Sequence, residues 1–307
     1  MKILYAGTPS VAVPPLVHLA ERPDVEIVAV LTRTDAPVGR RKVLTPSPVA
    51  VEAERRGLPV LKANRVDGPL TERIRDLGAE IAAVVAYGAL VPQPALDALP
   101  HGWINLHFSL LPRWRGAAPV QRALMAGETL VGATTFLLEA GLDTGPVVGS
   151  MTDEVRPDDT AGTVLERLSR TAAPLLGDSL RAVVDGAARP VPQEGEVTHA
   201  PKLSAQDGRV RWTDPAVAVA HRVRGVTPEP GAWTELAGRR FKLDRVVPRP
   251  DQRDLAPGQC VLRGSAVLVG TGSYAVQLTE VQPSGKRPMD AAAWARGRGA
   301  EDEVVFA

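Results

Sequence analysis

Ile81-Ala82-Ala83-Val84-Val85-Ala86-Tyr87-Gly88 is a short apolar run closed by a glycine. From Ile81 to Ala86 it has the length and the branched content of a strand rather than of a helix. Upstream, Thr71 to Leu77 and Pro48 to Arg56 place their apolar residues at helical spacing, and Lys2 to Ala6, Ile27 to Thr32 and Val60 to Leu61 read as further strands. Downstream, Trp103 to His107 and Gly132 to Glu139 continue the series. Strands alternating with helical stretches make a βαβ rhythm, which predicts an α/β unit built on a mostly parallel sheet with helices on both faces. In such sheets ligands gather beyond the carboxyl ends of the strands. The segments to search are therefore those following Ala6, Thr32, Ala86 and His107.

A single helix is expected from about Ala161 to Asp185, followed by Ala187 to Glu196, where proline, glycine and charge occur without periodicity, as in a linker. Beyond about Val210 come short strand-like runs at Phe241 to Val247, Cys260 to Leu262, Ala266 to Val269 and Ala275 to Leu278, punctuated by Gly and Pro. That spacing suggests a small barrel or sandwich. A chain of 307 residues also exceeds what one hydrophobic core usually serves. The expected division is residues 1–190, a linker at 191–205, and a C-terminal domain at 206–307.

Composition narrows the function classes. The 44% apolar and 23% charged fractions are those of a globular protein. The only cysteine, Cys260, excludes an internal disulfide framework and any multi-cysteine metal site, and between its apolar neighbours it reads as a buried strand thiol. The apolar run in Met1 to Gly7 is too short for a signal-peptide core, and Ile81 to Val91 falls far short of a bilayer span, so a cytoplasmic protein without membrane attachment is expected. Gly7-Thr8-Pro9 lacks the lysine of a phosphate-binding loop, and no Gly-x-Gly-x-x-Gly follows the first strand, which argues against nucleotide-driven chemistry. The net charge of +1 conceals an asymmetry: residues 1–200 sum to −3 and residues 201–307 to +4. A basic C-terminal part suits a polyanionic partner, although a solvated basic surface has the same composition.

Asn105-Leu106-His107-Phe108-Ser109-Leu110-Leu111-Pro112 holds the densest chemistry. Along a strand, Asn105 and His107 point to one face, and Leu106 and Phe108 to the other. Two polar groups at the carboxyl end of an apolar strand either bond to a neighbouring loop or converge as donors on one substrate oxygen. Gly141-Leu142-Asp143-Thr144-Gly145-Pro146 can bring a carboxylate beside such a strand end, where Asp143 would orient His107, or it can be a plain turn.

Taken together, these two elements and their separation resemble the 10-formyltetrahydrofolate-dependent formyltransferases, whose pattern is Asn-x-His-x-Ser-Leu-Leu-Pro followed some 35 residues later by Asp. Ser109 to Gln121, with Gly141 to Gly145, looks like the members that act on methionyl-tRNA. Ala6 to Pro9, Pro46 to Val49, Val85 to Gly88 and Pro283 to Met289 extend the likeness over nearly the whole chain. The resemblance implies a Rossmann-like catalytic domain and a smaller C-terminal β-barrel resembling an OB fold. It implies Asn105, His107 and Asp143 as the catalytic set, and 10-formyltetrahydrofolate as formyl donor, held by Ser109, Leu110, Leu111 and Pro112 with Ala86, Tyr87 and Gly88. Initiator methionyl-tRNA is the implied acceptor, the enzyme working without a metal and as a monomer. Phe108 stands where many relatives carry a small residue such as glycine; since it should face away from Asn105 and His107, altered packing is expected rather than lost activity.

Between Thr32 and Pro48 the chain carries Arg33, Arg40, Arg41 and Lys42 against the single acid Asp35. A long cationic connection at a strand's carboxyl end suits phosphates, and the resemblance assigns tRNA binding to it. Lys286 and Arg287, with Arg222, Arg224, Arg239, Arg240 and Lys242, are expected to hold the RNA backbone less specifically. His221 and Trp233 read as packing or surface groups. The competing readings are a formyltransferase acting on an amino sugar nucleotide, one acting on glycinamide ribonucleotide, which would leave the C-terminal third unexplained, and a catalytically idle folate- or RNA-binding protein, for which the Asn-His-Asp set would be superfluous.

Overall fold

The computed structural model describes residues 1–39, 41–298 and 304–307; Arg40, one of the cationic residues singled out above, lies outside them. The chain forms two compact units, one of Met1–Pro119, Leu130–Glu154 and Leu165–Ala200, the other of Val120–Thr129, Val155–Val164 and Pro201–Ala307. Among the described residues no helix is long and apolar enough to cross a membrane.

In chain order the first elements are β1 (Lys2–Gly7), α1 (Val13–Glu21), β2 (Glu26–Thr32), β3 (Ala36–Val38), β4 (Val43–Thr45), α2 (Pro48–Arg55), β5 (Val60–Lys62), α3 (Gly68–Asp76) and β6 (Ile81–Val85). Then come α4 (Gln93–Leu96), β7 (Trp103–His107), α5 (Pro119–Ala126), β8 (Leu130–Leu137), β9 (Val147–Glu154), α6 (Ala161–Thr171) and α7 (Ala173–Val184). The sheet runs β5-β2-β1-β6-β7-β8-β9. It is parallel from β5 to β7, as the alternation of elements demands, and β8 and β9 are added antiparallel. All five residues of β6 are buried, and α7 packs against β6 and β7 on one face of the sheet. On the other face Leu4, Leu31, Ala82, Val84 and Trp103 meet Ile74 of α3 and Leu96 of α4.

Three sequence expectations change here. The helix expected from 161 to 185 is two helices, because Pro174 has no N–H to donate and stands at the start of α7. The connection from Thr32 to Pro48 contains a hairpin, β3 pairing with β4, with Val38, Val43 and Leu44 exposed. β9 gives little sequence signal because three of its eight residues are exposed, none is fully buried and its apolar residues are few.

In the second unit, α8 (Ala216–Val226) precedes β10 (Ala232–Leu236), β11 (Arg239–Arg249), β12 (Gln259–Arg263), β13 (Ala266–Val269), β14 (Ala275–Gln282), β15 (Met289–Asp290), α9 (Ala291–Arg296) and β16 (Val304–Val305). The antiparallel order is β10-β11-β14-β13-β12-β16, with β15 beside β14. Reciprocal backbone bonds between Glu235 of β10 and Ala307, just after β16, at 3.3 and 3.0 Å, bring the two ends of the sheet together into a barrel, the OB-like form expected. Its core holds an aromatic cluster of Trp212, Phe241, Trp294 and Phe306. Cys260 is buried in β12, and burial pushes its thiol up to about 12, so it is chemically quiet at neutral pH.

Candidate active site

β7 presents Trp103, Asn105 and His107 on one face. Trp103 belongs to the core, its indole N–H donating 2.8 Å to the Ala95 carbonyl, and the row turns polar as it reaches the carboxyl end of the sheet. Asn105 is half-buried, and its amide makes no side-chain hydrogen bond among the described residues. His107 is 7% exposed and lies edge-on to the buried Phe136 of β8. Asn105 and His107 thus stand on one wall of the strand end, the Asn105 amide without a side-chain partner among the described residues.

The surroundings of His107 differ from the expectation in one respect. Its Nε2 lies 3.0 Å from the Trp114 carbonyl, which can only accept, so this nitrogen carries the proton. Nδ1 faces Asp143 Oδ2 at 3.9 Å, too far for a hydrogen bond. The imidazole is thus oriented by a backbone carbonyl rather than by the carboxylate. Asp143 Oδ2 instead accepts 2.7 Å from the Gly116 N–H. With a singly protonated ring, Nδ1 and Oδ2 are two acceptors facing one another.

Asp143 and Trp114 both have left-handed backbones, with φ of 51° and 61°. Such conformations at non-glycine residues persist when neighbours hold them, and they cluster at functional sites. Gly116 has φ 122°, and a Cβ there would lie 2.8 Å from the Ala200 carbonyl oxygen, so only glycine lets the loop approach closely enough to present its N–H to Asp143. The signal for this position was present in Arg113-Trp114-Arg115-Gly116, but nothing local shows what the loop packs against.

Just after β7, Ser109 to Pro112 turn sharply. The Ser109 hydroxyl donates 2.7 Å to the Arg113 carbonyl. Thr134 of β8, 1% exposed, donates 2.7 Å to the Ser109 carbonyl and accepts 3.3 Å from the Leu111 N–H. This buried threonine was missed, since a lone Thr in a strand gives no sign of its cross-strand partner. Leu110 and Leu111 are half-buried, and Ala86 and Gly88 are exposed at the carboxyl end of the neighbouring β6. Tyr87 is different: its ring is buried in the core and its hydroxyl donates to the Ala63 carbonyl, leaving only its backbone toward the strand ends. Phe108 is buried, as a side chain on the opposite face of β7 should be.

The basic residues divide into anchored and exposed. Arg33 donates to Asn64 and to the Gly88 carbonyl, tying the end of β2 to the turn after β6. Arg41 and Lys42 are exposed at the tip of the β3–β4 hairpin. In the second unit, Arg222 donates to the Asp207 carbonyl, and Arg224 to those of Asp159 and Arg156. Those two guanidiniums secure loops rather than standing free for a polyanion. Lys286 and Arg287 are exposed. His221 is half-buried, which holds its imidazole below the usual range, and the guanidiniums of Arg209 and Arg240 lie over the Trp233 ring.

The pattern described as Formyl transferase matches residues 1–179, and that described as Formyl transferase, C-terminal domain, matches residues 202–299. The chain belongs to the formyl transferase family. Within this family it is 59% identical, over 306 residues and the full length of both chains, to the methionyl-tRNA formyltransferase of Arthrobacter sp. (strain FB24). Solved formyltransferases share its fold. The methionyl-tRNA formyltransferase from Clostridium thermocellum is 14% identical with a TM-score of 0.59, the match covering 91% of this chain and 98% of that one. The N-formyltransferase from Helicobacter canadensis, solved with folinic acid and dTDP-3-aminofucose, is 15% identical with a TM-score of 0.69, covering 92% and 99%. Among the described residues no group of three His, Cys, Asp or Glu side chains is placed to hold a metal ion.

Proposed function

We propose that this formyltransferase moves a formyl group from 10-formyltetrahydrofolate to the α-amino group of methionine carried by initiator tRNA, supplying formylmethionyl-tRNA for translation initiation. The full-length 59% identity to a methionyl-tRNA formyltransferase carries the choice of acceptor, because the sugar-modifying relative resembles the chain in fold alone.

In this reading the methionyl amine enters between His107 Nδ1 and Asp143, where both groups accept its N–H bonds. As the amine nitrogen bonds to the formyl carbon, Asn105 donates to the oxygen on which charge develops, and the amine proton passes to Nδ1 with Asp143 holding it in place. The ring, now carrying two protons, is stabilised by the carboxylate 3.9 Å away and by the Trp114 carbonyl. Its Nδ1 proton then goes to the folate N10 as the carbon–N10 bond breaks. Formylated amine and tetrahydrofolate leave, and His107 regains its starting state. Ser109 to Pro112, with the Ala86 to Gly88 backbone, form the wall against which the pterin lies, and Arg40, Arg41 and Lys42 meet the tRNA phosphates, with Lys286 and Arg287 adding backbone contacts. The enzyme works in the cytoplasm as a monomer.

Purified protein supplied with formyl donor and, separately, methionyl-tRNA, free methionine and an amino sugar nucleotide should formylate only the first. Preferential formylation of the sugar would replace this reading with the rival acceptor.

A further inference from the structure

Residues 180–201 lie between the two stretches that the family patterns match, so those patterns assign them no role. Composition marks Ala187 to Glu196 of this segment as a linker. Part of it is built into the catalytic unit instead, since Val191 exchanges backbone bonds of 2.8 and 2.9 Å with Val147, and Ala200 is bonded to Arg115 and Ala118.

Two side chains of this strap reach the loops that carry the candidate catalytic groups. The Gln193 amide N–H groups donate 2.8 Å to the Asp143 carbonyl and 2.8 Å to the Gly145 carbonyl. Its oxygen accepts from Arg115 Nε at 3.1 Å and Nη2 at 2.6 Å. Both donors and both lone pairs are engaged, and the guanidinium fork fixes which end of the amide faces the Asp143 turn. Thr198 Oγ1 accepts 2.9 Å from the Trp114 N–H, and its carbonyl accepts 2.9 Å from Arg115 N–H. The strap therefore grips, at one point, the left-handed turn that aims the Asp143 carboxylate and, at another, the left-handed residue whose carbonyl accepts the hydrogen bond from His107 Nε2–H.

We propose that Gln193 and Thr198 are positioning residues for formyl transfer, Gln193 setting the Asp143 carboxylate against His107 Nδ1 and Thr198 setting the Trp114 carbonyl that orients the ring. This rests on the reading that His107 and Asp143 carry the reaction. Neither residue touches substrate in this scheme, so their loss should act on turnover and not on affinity. A displacement of about 1 Å in a reacting group is enough for a rate loss approaching a hundredfold.

Gln193→Met keeps the length of the side chain and removes all four bonds. It is expected to lower kcat at least tenfold while leaving KM for folate and for methionyl-tRNA within twofold. Because Gln193 acts through Asp143, the double variant Asp143→Asn with Gln193→Met should be no slower than Asp143→Asn alone. Thr198→Val should likewise lower kcat, and Thr198→Ser, which restores the hydroxyl, should return it. If Gln193→Met does not fold, the Thr198 pair decides. Parental kcat in Gln193→Met, losses that multiply in the double variant, or a Thr198→Ser no better than Thr198→Val would overturn the proposal. Parental kcat in Asp143→Asn would instead remove the catalytic assignment on which it stands.

Discussion

Replacing Gly116 with alanine tests the loop that ties the two candidate catalytic elements together. At φ 122° an L side chain is strained, and the added Cβ would lie 2.8 Å from the Ala200 carbonyl oxygen and 3.2 Å from its carbon, both backbone atoms without rotamer freedom. The backbone conformation contributes about 1–3 kcal/mol and the overlap about the same again. The sum, about 2–6 kcal/mol, corresponds in a unit of this size to a fall in Tm of roughly 4–24 °C. Relief requires the 116 peptide to rotate, which withdraws the N–H that donates 2.7 Å to Asp143 Oδ2. Single-turnover formylation should therefore slow about tenfold to a hundredfold even at temperatures where the variant is fully folded. Gly186→Ala is the control: its φ is 69° but a Cβ there meets nothing within 4 Å, so it isolates the cost of positive φ and should leave turnover unchanged. Thermal melts and single-turnover rates for the two variants decide the matter. A Gly116→Ala protein no less stable than Gly186→Ala, with parental turnover, would refute the claim that close approach of this loop fixes the carboxylate.

Other expectations concern the site, the acceptor and the framework. His107→Ala and Asn105→Ala should each lower single-turnover formylation about a hundredfold or more with little change in Tm, because they act on charge that develops during reaction; a folded variant with near-parental turnover would void its role. Substituting Arg40, Arg41 and Lys42 together by alanine should raise KM for methionyl-tRNA and flatten its salt dependence while sparing folate, whereas an unchanged salt slope would return the hairpin to a solvated surface segment. Native protein at pH 8 should leave Cys260 unmodified by a thiol reagent and react fully once unfolded; rapid labelling of the native state would contradict its burial. Glu52, bonded to Arg55 and Arg56, is held at about 2, below its ordinary 4.5. A depressed carboxylate stabilises the fold above the unfolded value and loses that contribution as pH falls through the folded one, so stability in Glu52→Gln should vary less than in the parent between about pH 4.5 and 2, measured by denaturant titration.

Much of the architecture could be read from short-range pattern. Apolar runs such as Ile81 to Val85 specify strands buried on both faces, and that burial requires helices on each side of a parallel sheet. Alternation along Trp103 to His107 placed Asn105 and His107 on one wall, and the structure has them there. What failed was whatever depended on a distant partner. The segment 191–200 looked like a linker because its bonds go to Arg115, Asp143 and Val147, dozens of residues away. Arg222 and Arg224 looked like free cations because charge is visible in sequence, whereas the carbonyls of Asp207, Asp159 and Arg156 that they bind are not.

The sequence by itself determined the identity and spacing of Asn105, His107 and Asp143 and the alternation that sets two of them side by side, since strand periodicity is a property of the local backbone. Only the tertiary structure decided that His107 is oriented by the Trp114 carbonyl, that Asp143 stands 3.9 Å away on the Gly116 N–H, and that Gln193 and Thr198 hold both loops. The reason is physical: local pattern sets which way a side chain points from its own backbone, but a hydrogen bond between loops exists only once the sheet has brought the ends of separate strands together.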